Sequence, residues 1–364
     1  MITKLMPLLC AGVVAVLLTL GLSPFRAPAN DVHWLGNRPG LAFGPNSGVI
    51  SSGALHVAEP ARELGGTVEI WLQPTRIWDR STFLAFDSGE PFQLAFRQSG
   101  TDLTIRVPKH DLYLNRIFRK STPVFLTIAA GSGGMAVYVD GNLVKTIEGL
   151  RLSTADFTGR LVVGDSPGQG DSWQGRLYGL AIYHRELSPT EIARHYAGWK
   201  ESGRPKTSQA EIPAALYVLG ERTGTIIHSA AASGPDLFIP ARYTVLDKIL
   251  LEPFWREFEL SWSYWSSALK NIVGFVPLGF CFYAWFAALR LRRAAIATVA
   301  LGTAVSLTIE VLQGWLPTRD SGTTDIFTNT LGTWIGIAAY RVTWPTLTRF
   351  VPQALVGGAD DLRD

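Results

Sequence analysis

The sequence is short of charge and of cysteine. Only 17% of its residues are Asp, Glu, Lys or Arg, against about 25% in an ordinary soluble domain. With 47% apolar residues and a mean hydropathy of +0.16, a disordered chain is excluded. The net charge of +3 comes without a long basic run, so nothing points to a nucleic-acid partner. Cys10 and Cys281 are the two cysteines, and both lie inside apolar runs, which leaves no disulfide framework and no thiolate zinc site. The six histidines, His33, His56, His110, His184, His195 and His228, include no H-E-x-x-H or other short zinc spacing. Ordinary structural or surface roles are expected for them.

Long apolar runs are what the sequence does have. A helix crossing the hydrocarbon core needs about 20 apolar residues, and four runs reach that scale: Leu5–Leu22, Asn271–Leu289, Ala294–Trp315 and Asp325–Trp344. Residues 23–270 contain nothing comparable and read as a water-soluble domain. Lys and Arg near span ends stay cytoplasmic. Lys4, the turn holding Arg290, Arg292 and Arg293, and the pair Arg341 and Arg349 all fall on one side if the chain starts inside. The expected topology is therefore a multi-pass membrane protein with both termini cytoplasmic and the large domain outside. Trp255, Trp262, Tyr264 and Trp265 suit the outer interface, where amphipathic rings favour the headgroup level. The first run reads as a retained anchor, being longer than the roughly 7 to 15 residues of a typical signal-peptide core. A cleaved signal peptide ending at Ala27-Pro28-Ala29 is the alternative, and it leaves the domain on the same side. The expected parts are 1–23 (anchor or signal), 24–252 (outward domain), 253–344 (membrane domain) and 345–364 (cytoplasmic tail).

From about Gly65 to Tyr183, short runs rich in β-branched and aromatic residues alternate with Gly, Asp, Ser or Pro, as in an antiparallel sandwich. Asp140-Gly141 between two such runs predicts a two-residue hairpin, because a type I′ turn needs positive φ at both positions. Leu187-Ser188-Pro189-Thr190-Glu191-Ile192 predicts a helix with Ser188 as N-cap, Pro189 at N1 and Glu191 at N3, running to about Trp199.

Thr67–Pro74, Val137–Gly141 and Gly175–Tyr183 with Leu187-Ser188-Pro189 resemble the laminin-G-like, concanavalin A-like lectin/glucanase superfamily over roughly residues 40 to 200. Leu216-Tyr217 and the run 237–240 resemble the first-strand region of such domains and are expected to complete the sandwich. The resemblance implies a two-sheet jelly roll, often with a carbohydrate or protein ligand and sometimes calcium. Trp71, Trp78 and Trp173 are candidate sugar-stacking platforms, against plain core or edge packing. Asp87, Asp165 and Asp171 are candidate calcium ligands, against solvated turn carboxylates. Retaining glycoside hydrolysis needs two carboxyls about 5 to 5.5 Å apart, which enzymes of this fold supply from an E-x-D-x-E strand. This chain has no such run, and Glu69 has no acidic neighbour at 67 or 71, which disfavours a glucanase centre.

The last three spans carry a second pattern. Asn271-Ile272-Val273-Gly274-Phe275-Val276-Pro277-Leu278-Gly279 is followed by Glu310-Val311-Leu312-Gln313, by Pro317-Thr318-Arg319, and by Asp325 through Asn329 to Gly332. This order resembles the VanZ-like bacterial membrane proteins, with their N-x-x-x-F-x-P-L-G, E-x-x-Q, P-x-R and D-x-x-x-N-x-x-G elements. Glu310 and Gln313 share a helix face, as do Asp325 and Asn329. With Asn271 and Arg319 they are expected as one polar cluster at the outward helix ends, where Glu310 and Asp325 with Arg319 form either a structural ion-pair set or a site for the charged head of a lipid-linked substrate. Gly332 and Gly336 form a G-x-x-x-G face, read as a close helix contact.

The expected fold is thus a jelly-roll ectodomain plus a bundle of about four transmembrane helices. The VanZ resemblance implies an envelope protein of a type associated with glycopeptide, notably teicoplanin, resistance. A non-enzymatic protein whose outward domain binds glycan or another cell-wall component is the leading functional expectation. The alternatives are an intramembrane enzyme acting on a lipid-linked head group, with Arg319 holding phosphate and Glu310 or Asp325 as acid or base, and an adhesion scaffold.

Overall fold

The computed structural model describes residues 2–57, 65–78, 80–89, 94–107, 110–168, 170–209, 211–258 and 262–350. It divides into two compact units, residues 27–248 and residues 1–26 with 249–364. The end of the expected cytoplasmic tail, 351–364, lies outside the described residues. In chain order the helices are α1 (Ile2–Leu22), α2 (Pro189–Ser202), α3 (Phe254–Glu257), α4 (Trp262–Ala288), α5 (Ala294–Gln313) and α6 (Thr323–Phe350). The strands are β1 (Val32–Trp34), β2 (Leu41–Phe43), β3 (Val49–Leu55), β4 (Gly66–Pro74), β5 (Arg80–Asp87), β6 (Ala95–Ser99), β7 (Asp102–Val107), β8 (His110–Leu114), β9 (Val124–Gly131), β10 (Gly134–Val139), β11 (Asn142–Glu148), β12 (Gly159–Val163), β13 (Gly175–Tyr183), β14 (Ala215–Tyr217), β15 (Ile226–Ile227) and β16 (Leu237–Phe238).

All the strands pack in residues 27–248 as two antiparallel sheets. One runs β1-β2-β13-β4-β9-β10-β11 with β14 added beside β13, and the other runs β15-β16-β3-β12-β5-β6-β7-β8. Period-two alternation fixes their faces: Val68, Ile70 and Leu72 of β4 enter the core between the sheets, where Phe83, Phe96 and Trp173 meet them. Asp140 and Gly141 take φ of 49° and 77°, as the tight β10–β11 turn requires. Leu216-Tyr217 extends the first sheet and Leu237-Phe238 the second, so the late segment does complete both layers.

Helix α2 covers part of the outer face of the first sheet. Glu191 Oε2 accepts from the Ser188 amide at 2.7 Å while Ser188 Oγ accepts from the Glu191 amide, closing the capping box. The helix passes the expected end at Trp199 by about a turn, because Gly203 at φ 68° supplies the left-handed cap. Ile192, His195 and Trp199, spaced three and four apart, all turn to the sheet and are buried.

The other unit is helical. Helices α1, α4 and α5 are long and apolar enough to cross a membrane, and α6 is of similar length but rich in threonine. Helix α4 begins at Trp262, before the apolar run at Asn271, so its first turns carry Trp262, Tyr264 and Trp265. It continues through Pro277. Cys10 of α1 is buried among Phe275, Leu278, Cys281 and Ile309, so α1 is packed into this unit.

The close contact read from Gly332 and Gly336 joins α4 to α6. A Cβ at Gly332 would strike the carbonyl oxygen of Ile272, one at Gly336 that of Val276, and one at Gly279 that of Thr333. Backbones approach this closely only when the intervening side chains are absent. Gly336→Val is expected to lower stability in detergent by about 1–3 kcal/mol, the usual cost of overpacking. Gly12→Ala, with open space around it, is the neutral control. Thermal unfolding of the purified variants checks this.

Candidate functional site

A densely bonded polar cluster of the sandwich lies beneath α2. Glu69 points out of β4 onto the face that the helix covers and is fully buried. Its Oε1 accepts from His195 Nδ1 at 2.8 Å, and its Oε2 from Trp199 Nε1 at 3.0 Å. The other ring nitrogen, His195 Nε2, donates to Glu211 Oε2 at 3.0 Å. Glu211 is also held by Arg194 and by the Ser208 hydroxyl at 2.6 Å. With a carboxylate on each nitrogen the imidazole is a double donor and therefore an imidazolium. Burial alone would depress its pKa, but the Glu69 and Glu211 hydrogen bonds and charges outweigh it, so the pKa is raised. Burial pushes Glu211 up, yet Ser208, Arg194 and His195 together hold it below the usual carboxylate range. The sequence reading of His195 as an ordinary structural histidine did not find this relay; its signal was a histidine on the sheet-facing side of an amphipathic helix. A glucanase pair is not formed here, since both oxygens of Glu69 are taken by fold-stabilising donors.

A group whose folded-state pKa is raised contributes stability that is full below its unfolded value, near 6.5, and is lost as pH rises through the folded value. Thermal stability of the protein is therefore expected to decline above neutral pH, and His195→Gln is expected to flatten that decline. His195→Ala strands a buried carboxylate and is expected to cost about 3–5 kcal/mol. Melting curves across pH test both.

The candidate sugar platforms separate by exposure. Trp173 is only 1% exposed and packs against Phe43 and Phe83 in the core, its Nε1 bonded to Gln98 at 2.8 Å, so it is unavailable for stacking. Trp71 is half-buried on the outer face of the first sheet, edge-on to Tyr178 at 5.6 Å between ring centroids. Trp78, in the connection after β4, is 61% exposed. Lys120 Nζ lies 5.3 Å and the Arg76 guanidinium carbon 5.5 Å from its ring centroid. The Arg38 guanidinium sits 3.5 Å from the Tyr178 ring centroid. Gln73 connects the two groups: it accepts from the Tyr178 hydroxyl and donates to the Ser121 carbonyl at 2.6 Å, next to Lys120. The sequence reading named the tryptophans and missed the cations, which come from loops distant in the chain.

The candidate calcium residues do not form a calcium cage. Asp171 Oδ2 is occupied by Arg97 at 2.8 Å and by the Thr82 hydroxyl at 2.9 Å, a cation standing where a calcium ligand would need to be open. Burial pushes Asp165 up to about 8. Its Oδ1 accepts from the Ser166 amide at 2.8 Å, and the Tyr243 hydroxyl faces the same carboxylate. Asp87 accepts from the Gly89 amide and lies beside Asp247. Among the described residues no group of three or more Asp, Glu, His or Cys side chains is disposed to hold a metal.

In the helical unit, polar residues close helix ends. Glu310 Oε2 accepts from the Gly322 amide at 2.9 Å, and Ser321 Oγ donates to the Glu310 carbonyl at 2.8 Å, tying the α5–α6 connection to α5. Glu257 accepts from the Thr324 amide at 2.9 Å and from its hydroxyl, capping the start of α6. Asn271 bonds the Asp325 carboxylate. The charged neighbours of Glu310 are Asp325, Glu257 and Asp320. Arg319, expected to pair with these carboxylates, donates to the carbonyls of Leu20 and Ser23 at 2.9 Å each, at the C-terminus of α1. Gln313 donates to the Gly21 carbonyl at 2.8 Å, and Asn329 to Ser306 Oγ at 2.9 Å. Glu257 and Asp320 are the members of this cluster that the sequence reading did not name.

Comparison with solved structures gives distant likenesses. A Bacteroides ovatus protein proposed to bind carbohydrate is 12% identical with a TM-score of 0.39, covering 59% of this chain and 58% of its own. The receptor binding domain of botulinum neurotoxin type G is 13% identical with a TM-score of 0.35, covering 47% of this chain and 45% of its own. A Ruminococcus gnavus sialidase module bound to α2,3-sialyllactose is 12% identical with a TM-score of 0.33, covering 43% of this chain and 95% of its own. This chain thus spans under two thirds of the first two, and likenesses this distant carry no argument about function. Comparison with curated proteins gives no match. Residues 48–193 match the model of the concanavalin A-like lectin/glucanases superfamily and residues 228–344 that of the VanZ/LLP1 family, so this membrane protein joins a lectin-like sandwich to a VanZ-like helical segment.

Proposed function

We propose that the protein is a multi-pass envelope protein whose sandwich faces outward and binds glycan, with both termini cytoplasmic. Trp78 carries this reading: an indole left mostly in water offers an apolar ring face to a sugar, next to hydrogen-bonding side chains that can fix its hydroxyls. The half-buried Trp71 lies on the same sheet face, edge-on to the buried Tyr178, whose hydroxyl donates to Gln73. The N-terminal helix is a retained anchor in this reading, supported by the burial of Cys10 and by the Arg319 and Gln313 bonds to its last carbonyls. Tolerance of glycopeptides, which the VanZ resemblance implies, is the proposed cellular setting. The full-length protein in nanodiscs is expected to retain labelled envelope polysaccharide, and Trp78→Ala to lose most of that binding with its melting temperature unchanged. Unaltered binding by that variant would remove Trp78 from the site, and no binding to any polysaccharide would end the proposal.

A second reading, acid–base work on a lipid-linked head group, is favoured by the gathering of Glu257, Glu310, Asp320 and Asp325. The leading reading expects Glu310→Gln and Asp325→Asn to leave glycan binding intact and to leave unchanged the teicoplanin tolerance of cells expressing the protein. Loss of tolerance at normal folded yield would transfer weight to catalysis.

A further inference from the structure

We propose that the glycan taken at the Trp78 surface is acidic, bearing carboxylates or phosphates along its chain; this rests on the glycan reading above. The surface is a stripe in which rings and cations alternate. At one end Arg38 covers the buried ring of Tyr178, which meets the half-buried Trp71 edge-on. At the other, Arg76 and Lys120 flank the exposed indole of Trp78. Gln73 links the ends, bonded to the Tyr178 hydroxyl on one side and to the Ser121 carbonyl on the other. Arg176 is the register partner of Gln73 on β13 and is exposed, which adds a fourth cation beside the same strand position.

The charged side chains named in this stripe are all of one sign. Lys and Arg number 33 across the chain and Asp and Glu 30, so an unbiased patch would mix the two. On the opposite sheet the cations are matched: Arg97 pairs with Asp171 at 2.8 Å and Arg106 with Asp111 at 3.1 Å. Among the described residues Arg38 and Lys120 have aromatic rings as their partners and no carboxylate. A guanidinium or ammonium resting on a ring keeps donors free at its outer edge. An acidic sugar presents both halves of the complement, an apolar ring face for the indole and an anionic group for the flanking cations. The spread of the cations along linked residues fits a polymer with repeated charge.

The test uses full-length protein in phosphatidylcholine nanodiscs, with polygalacturonate as acidic probe, dextran as neutral probe and phosphatidylglycerol vesicles as a lipid control. The wild type is expected to bind polygalacturonate more tightly than dextran, and less tightly as salt rises. Arg76→Gln with Lys120→Gln is expected to weaken polygalacturonate binding about tenfold, as two exposed charge contacts would, and dextran binding by less, so that the preference for the acidic polymer shrinks. Arg38→Gln, at the other end, gives a smaller loss of the same kind, and melting temperatures report folding. Equal binding of both polymers, or a preference untouched by these variants, overturns the inference while leaving glycan binding standing. Capture by the anionic vesicles without polymer binding overturns it in favour of a lipid surface. Failure to bind either polymer or the vesicles ends the underlying glycan reading itself.

Discussion

A carboxylate buried on a sheet face organises the sandwich. Glu69 lies where a solvent-facing residue of β4 would be if nothing covered it, and α2 covers it completely. A charge taken out of water persists only with its donors in place, so the helix must deliver His195 and Trp199 to within bonding distance of the same carboxylate. Those two side chains, four apart, fix both the rotation and the axial position of α2 on the sheet. Glu211 then holds the far side of the imidazolium, which fastens the segment after the helix to the same point. Past the helix, Trp78 stands in water, Trp71 is half-buried and Tyr178 is buried.

Local chemistry was legible in the sequence and long-range partnership was not. Asp140-Gly141, the Ser188 capping box and the Gly332 and Gly336 face each depend on residues within one turn or one helix, where φ preference, hydrogen-bond reach and side-chain size decide the outcome. Strand faces were legible for the same reason, through alternation. The stack of Arg38 on Tyr178 joins residues far apart in the chain, and nothing in either local sequence marks it. Trp173 illustrates the converse: its composition fits a binding platform as well as a core, and only the closing of Phe43 and Phe83 around it decides.

Arg319 shows how a motif residue can reach acceptors outside its motif. A cation near two acids invites pairing, yet the last carbonyls of a helix are also acceptors that lack intrahelical donors, and in an apolar setting leaving them bare costs as much as an unpaired charge contact gains. The guanidinium reaches two of them, and Gln313 a third, 292 or more residues away in sequence. No reading confined to the last three spans could include that acceptor, because it belongs to α1.

The glycine contacts set where the remaining polar residues meet. Gly332 lies against Ile272 and Gly336 against Val276, so each step of four along α6 matches a step of four along α4, and the two helices run parallel with a fixed register. Asn271 precedes Ile272 by one residue, which places it at the end of this contact nearest the start of α6. Asp325 is on the first turn of α6, and its bond with Asn271 follows from that register. Glu257 caps the same turn, and Glu310 receives the amide of Gly322 just before it. A Cβ at Gly322 would meet the Glu257 carboxylate, so a larger residue there would push that cap aside. The small residues in the middle of the helices and the carboxylates at their ends are therefore one constraint: close packing aligns the termini, and the unbonded amides of those termini draw the carboxylates together.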